Sequence, residues 1–214
     1  MLRDAQAQHR PVVIGIAGPP GAGKTRLAQE LAHLLGDASV LSMDHYQRMT
    51  DLPPEEIARW AARGADFDAL PVPGLAEHLA ALRRGQTVVD PTTGAMVPAC
   101  RFIVFETHFG RAHRTTGPLI DVLVWLDTPV DVALARNLRA FVRPWLQPGA
   151  GEAAQAEGLR WIEGYLDNYL SLVAPLLRLQ AERVPKDADL CAADGASAHQ
   201  VLDGVLRLLS SVNR

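Results

Sequence analysis

The sequence predicts an α/β fold: a parallel sheet of five strands flanked by helices and covered by a helical lid. Three observations carry that prediction. Short apolar runs alternate along the chain with longer stretches in which apolar residues recur every three or four positions. The short runs are almost uninterrupted, the pattern of strands covered on both faces. A glycine-rich stretch, Gly18 to Thr25, separates the first such run from the first helical pattern.

Residues 12–17 give the first strand, which ends at Gly18. Leu27, Ala28, Leu31, Leu34 and Leu35 then mark one face of a helix over 23–35 that stops at Gly36. A second strand is expected over 39–42, followed by the polar loop residues Asp44, His45 and Tyr46. Helices over 53–63 and 73–84 each have proline near the first turn, where a missing N–H costs nothing. Strands follow at 102–105 and 120–126. An arginine-rich helix over 130–143 runs into a break carried by Pro144, Pro148, Gly149 and Gly151. The next helical pattern, 152–180, is expected to kink or end at Pro175. A strand at 189–193 and a helix over 198–209 close the chain. No repeat or low-complexity tract divides it, so one domain over 1–214 is expected, with the lid at about 136–151.

Composition narrows the function. The 214 residues are 48% hydrophobic, enough for an ordinary buried core. A formal charge of -3 gives no bulk pull toward nucleic acid or anionic lipid, so neither is expected as a partner. The apolar runs are far below the roughly 20 residues that cross a bilayer. No signal-peptide pattern opens the chain, and two cysteines, Cys100 and Cys191, are too few for a disulfide scaffold. A cytoplasmic location is expected. Of the 21 basic residues only Lys24 and Lys186 are lysine, which draws attention to both.

Gly18-Pro19-Pro20-Gly21-Ala22-Gly23-Lys24-Thr25 fits G-x-x-x-x-G-K-[ST] between a strand and a helix, the setting in which that pattern has a mechanical meaning. Glycines let backbone N–H groups converge on phosphate oxygens, and the helix start adds its positive dipole end. All eight residues are therefore assigned to ATP, with Lys24 reaching the β and γ phosphates and the Thr25 hydroxyl ligating Mg²⁺. An arginine fork could not replace the compact ammonium in so tight a loop.

In a parallel sheet the carboxyl ends of the strands open onto that loop, so Asp44 and Glu106 face the same crevice. Phosphoryl transfer needs carboxylates for the metal shell and one to orient the attacking hydroxyl. Asp44 is assigned as that base and, with Thr25 and Glu106, as a candidate metal ligand. The bland alternatives are a loop cap for Asp44 and a solvated strand end for Glu106. Asp127 reads more simply as the cap of the next helix. His45 and His108 lie beside the acidic candidates without a third ligand in register, which disfavours a zinc-type site. Arg136, Arg139 and Arg143 fall along one helix face at the mouth of the lid, where Arg136 and Arg139 are candidates to neutralise developing phosphate charge. A solvated helix face is the alternative.

With these residues placed, the chain resembles the uridine kinase and phosphoribulokinase branch of P-loop kinases over most of 12–195. Gly18 to Thr25 matches the phosphate loop, and Asp44-His45-Tyr46 resembles the Asp-Ser-Phe-Tyr element that holds the catalytic aspartate. Phe67-Asp68 is similar to the substrate-side Phe-Asp, and Glu106 stands where a Glu-Gly-Ile strand end supplies a metal-associated carboxylate. The resemblance implies a P-loop NTPase fold and ATP- and Mg²⁺-dependent phosphorylation of a hydroxyl. It also implies substrate contacts at Tyr46, Phe67, Asp68 and His108. Two departures stand out. Thr107 replaces the glycine after the glutamate, and Pro91-Thr92-Thr93-Gly94-Ala95-Met96 replaces the Tyr-Asp-Phe segment that clasps a pyrimidine. Phosphorylation of a nucleoside is the leading reading. The alternatives are a kinase of another small hydroxyl metabolite, of sugar, glycerate or pantothenate type, and a catalytically silent ATP-binding regulator. A GTPase is disfavoured, because Lys186 follows Pro185 and cannot complete the guanine-reading signature. Association into a homo-oligomer is left open.

Overall fold

The computed structural model describes residues 10–147 and 151–212. Pro148 and Gly149, which mark the expected lid break, lie outside them.

β1 (Val12–Ala17) leads through the glycine-rich stretch into α1 (Lys24–Leu35), and β2 (Ala38–Ser42) follows. α2 (Pro54–Ala62) and α3 (Leu75–Arg83) come next, then a hairpin of β3 (Val88–Val89) and β4 (Met96–Val97). β5 (Phe102–Thr107) and β6 (Val122–Asp127) precede α4 (Val130–Val142) and α5 (Glu152–Asn168). A π-helical segment, Tyr169–Val173, joins α5 to α6 (Ala174–Arg183), and β7 (Leu190–Ala193) and α7 (Ala198–Val212) complete the described chain.

Five strands pair in the order β2-β5-β1-β6-β7, all parallel. The period-two alternation of each strand splits the core in two. Val13, Ile103, Phe105, Leu123 and Trp125 point to the face covered by α3 and Val184, while Ile14, Ile16, Val104, Val122 and Val124 point to the face covered by α1 and α7. Burial on both faces explains why the strands read as unbroken apolar runs. Because β1 is central, the loop that follows it emerges in the middle of the carboxyl edge, flanked by the ends of β5 and β6.

At three points the structure adds to or changes the sequence reading. The hairpin was not foreseen, because strands of two residues carry no periodic signal. In the helical run after 152, α5 ends at Asn168, a π-helical segment follows, and Pro175 sits in the first turn of α6, a position that tolerates a missing N–H. Asp127 does not cap α4, whose N-cap is Pro129 with no side-chain cap bond. No described helix is long and apolar enough to cross a membrane.

Candidate active site

The glycine-rich loop takes its shape from two residues in the left-handed region, Gly21 at φ 88° and Gly23 at φ 89°. Gly21 also permits a close approach, since a Cβ there would collide with the backbone carbonyl of Ala133 in α4. Gly23 is the N-cap of α1, so the first N–H groups of the helix are free to point into the loop. Gly18, Pro19, Pro20 and Ala22 complete the turn, in which the Ala22 N–H donates to Pro19 O at 3.1 Å.

Lys24 opens α1 and is 5% exposed, with Nζ 3.3 Å from Pro19 O. Burial pushes its ammonium below the usual lysine range, against the attraction of Glu106 and Asp44. A desolvated cation with one long hydrogen bond is a group prepared for an anion.

Glu106, near the end of β5, is 4% exposed and lies in register with Ile16 of β1 and Ser42 of β2. Its two oxygens accept from Thr25 Oγ1 at 2.8 Å and Ser42 Oγ at 3.2 Å. Among the described residues no three His, Cys, Asp or Glu side chains gather into a metal cage. The donor set nevertheless suits Mg²⁺, which binds through one or two carboxylates, a hydroxyl and phosphate oxygens rather than in an all-protein cage.

Asp44 follows β2 in a short 3₁₀ turn and stays half-exposed. His108 Nε2 lies 2.5 Å from its Oδ1, the ring nitrogen donating because an ionised carboxylate only accepts. That hydrogen bond holds the Asp44 carboxyl below its ordinary value, against burial, and the positive charge of Lys24 adds to the effect. The turn carrying His108 is built by Thr107, whose hydroxyl accepts from the N–H groups of Phe109 and Gly110 at 3.2 and 3.3 Å. His108 therefore orients the carboxylate, a contact the expected substrate role did not anticipate.

The other residues assigned to the substrate side are packed as follows. Tyr46 is 1% exposed and Phe67 3%, both within the core. The Tyr46 hydroxyl lies 2.9 Å from His78 Nδ1, and burial pushes it up to about 12. Phe67 stacks on Phe109. Asp68 is already engaged: its oxygens accept from the Arg114 N–H at 2.7 Å and from Arg114 Nε at 2.6 Å. The two rings are thus part of the core, and the Asp68 carboxylate is paired with Arg114.

On α4, Arg136 forms a bidentate pair with Asp194, at 2.7 and 2.9 Å, and Thr128 Oγ1 donates to the same carboxylate at 2.9 Å. Arg136 and Arg139 both line an open cavity of about 390 Å³, bounded by Gly21, Ala22, Gly23, Arg26 and Gly195. A second cavity of about 500 Å³ lies on the opposite side of the loop, lined by Thr25, Asp44, His45, Asp90, Thr93 and Glu106.

Sequence reasoning missed two groups. Asp90, at the mouth of the hairpin, is bound by His45 Nδ1 at 2.6 Å and by the N–H groups of Thr92 and Thr93 at 3.0 and 2.8 Å. Burial works against its charge, but these bonds prevail and hold its carboxyl at about 2. Gln180, on α6, reaches the loop from outside the sheet. Its signal was present: it continues the apolar stripe of Val173 and Leu177, where a polar residue is out of place.

Known proteins with similar sequence or fold include several kinases. The family model described as Zeta toxin matches residues 1–52, which hold β1, the loop, α1, β2 and Asp44. The uridine kinase of Halobacterium salinarum is 28% identical over 200 residues, covering 86% of this chain and 81% of the relative. The uridine kinase of Staphylococcus haemolyticus is 29% identical over 208 residues, covering 89% and 91%. A solved structure named as a candidate fructose transport system kinase, from Silicibacter sp. TM1040, superposes with a TM-score of 0.53 at 20% identity, covering 87% of this chain and 92% of that one. That likeness speaks for the fold alone. The chain thus has the fold of the P-loop kinases and resembles the uridine kinases over most of its length.

Proposed function

We propose that the chain transfers the γ-phosphoryl group of ATP to a hydroxyl of a small molecule. The observation that carries this reading is the convergence of three things at the carboxyl edge of one sheet. They are the buried Lys24 ammonium, the Thr25–Glu106 pair, and an Asp44 carboxylate hydrogen-bonded by His108.

In this reading the Gly18 to Thr25 backbone and Lys24 hold the phosphates. The nucleoside part of ATP lies in the cavity beside Gly21, with Arg139 at its wall. Thr25, Glu106 and Asp44 would hold Mg²⁺, which would supply positive charge to offset the charge that develops on the phosphates. Asp44 orients the acceptor hydroxyl and takes its proton as the oxygen bonds to the γ phosphorus. The bond to the bridging oxygen breaks, and ADP leaves with its electron pair. Arg136 acts on the phosphates only if it leaves Asp194. The acceptor is a small molecule, and no nucleic acid or membrane takes part.

The relatives' name makes a nucleoside, uridine first, the acceptor to test. Asp68 paired with Arg114 and a hairpin without aromatic residues keep a non-nucleoside hydroxyl in the panel. The experiment is ADP release from MgATP by the full chain, with uridine, cytidine, hexoses, glycerate and pantothenate offered separately. One acceptor should raise the rate well above the rate with water. An unchanged background across the whole panel contradicts the proposal.

A further inference from the structure

α6 brings one buried polar side chain up to the site. Gln180 is 4% exposed, and its Nε2 lies 2.6 Å from the backbone oxygen of His108 and 3.3 Å from that of Gly18, close enough to donate one N–H to each. Both neighbours are carbonyls, so the amide nitrogen must face them and the assignment of O and N is fixed. Its Oε1 is buried with no hydrogen-bond partner among the described residues.

The two carbonyls belong to different parts of the machinery. Gly18 is where β1 gives way to the phosphate loop, and His108 is the residue whose ring bonds Asp44. One planar amide with two hydrogen atoms in fixed directions spans them. The stability gained is small, because a buried acceptor left unpaired offsets much of what two hydrogen bonds contribute. The geometric effect is not small: transfer rates respond steeply to displacements of about 1 Å between reacting groups.

We infer that Gln180 is a positioning residue, which sets the separation between the phosphate loop and the Asp44–His108 pair. This inference rests on the kinase reading given above. Gln180 touches neither nucleotide nor acceptor and acts through the backbone at Gly18 and His108.

The test uses Gln180→Met, which keeps length and volume but has no N–H. Gln180→Asn is one methylene too short to reach both carbonyls, and serves if the first variant fails to fold. Turnover of MgATP, with uridine and with water as acceptor, should fall about tenfold or more. The Kd for MgATP should stay within about threefold, since the loop backbone and Lys24 remain. In a His108→Ala background the same substitution should cost less than about twofold, because the pair it positions is already broken. A merely structural residue would lower turnover by one factor in both backgrounds, and that result overturns the inference, as does turnover at the wild-type rate. Should the wild-type chain show neither transfer nor hydrolysis, the kinase reading fails on its own account. Gln180 is then judged by hydrogen exchange: faster exchange of the Phe109 and Gly110 amides in the variant upholds the positioning, and unchanged exchange overturns it.

Discussion

His108 Nε2 lies 2.5 Å from Asp44 Oδ1, although 64 positions separate the two residues in sequence. The bond has an electrostatic consequence. It favours the ionised carboxylate and so keeps Asp44 able to accept a proton at lower pH than a free aspartate. His108→Ala should therefore move the acid limb of the pH–rate profile upward, toward the ordinary aspartate value. Turnover at neutral pH should fall about tenfold through lost orientation. An acid limb that stays in place shows that the bond does not tune the base.

Asp44→Asn removes the proton acceptor while keeping the shape of the side chain. Turnover should drop by about two to four orders of magnitude, the usual contribution of a positioned base, with the melting temperature nearly unchanged. Steady-state kinetics beside a thermal melt read both quantities. Near-normal turnover reassigns the base.

Gly21→Ala forces a side chain into the left-handed region and against the carbonyl of Ala133. Either the loop opens or α4 moves away from it. A loss of about 2 kcal/mol or more in folding stability is expected, with weaker nucleotide binding, because strain and overpacking act at one place. Gly23→Ala meets no neighbouring atom, so a milder effect there serves as the internal comparison.

Asp90 contributes stability with a defined pH dependence. Its folded value of about 2 is below the ordinary aspartate value, so the unfolded chain takes up protons first as pH falls. The contribution is whole above about pH 5 and is lost between the unfolded value and about pH 2. Asp90→Asn should cost on the order of 2 kcal/mol at pH 7, and the gap between variant and wild type should narrow in acid. Denaturant melts at pH 7 and pH 3 measure it. A gap that stays constant with pH contradicts the assignment.

The sheet was legible because its central strands β1, β5 and β6 are buried on both faces, and an unbroken apolar run such as Val122 to Leu126 admits few other readings. The phosphate loop was legible because its chemistry is local in sequence: Gly21, Gly23, Lys24 and Thr25 act within one turn. Pairs made by the fold were not. Nothing near Asp44 announces His108, nothing near Asp68 announces Arg114, and Gln180 comes from a helix more than 150 residues beyond Gly18. Tyr46 and Phe67 were assigned to substrate where the packing uses them as core. An aromatic residue beside a catalytic loop reads alike in both cases, and burial alone separates them.

The most direct measurement is a calorimetric titration of the full chain with MgATP, alongside Lys24→Met. The wild-type chain should bind one equivalent, and the variant should lose at least tenfold in affinity while melting at the same temperature or higher, since a buried cation has been removed. A wild-type chain that does not bind MgATP, or a variant that binds it equally well, contradicts the assignment of Gly18 to Thr25 as a phosphate cradle.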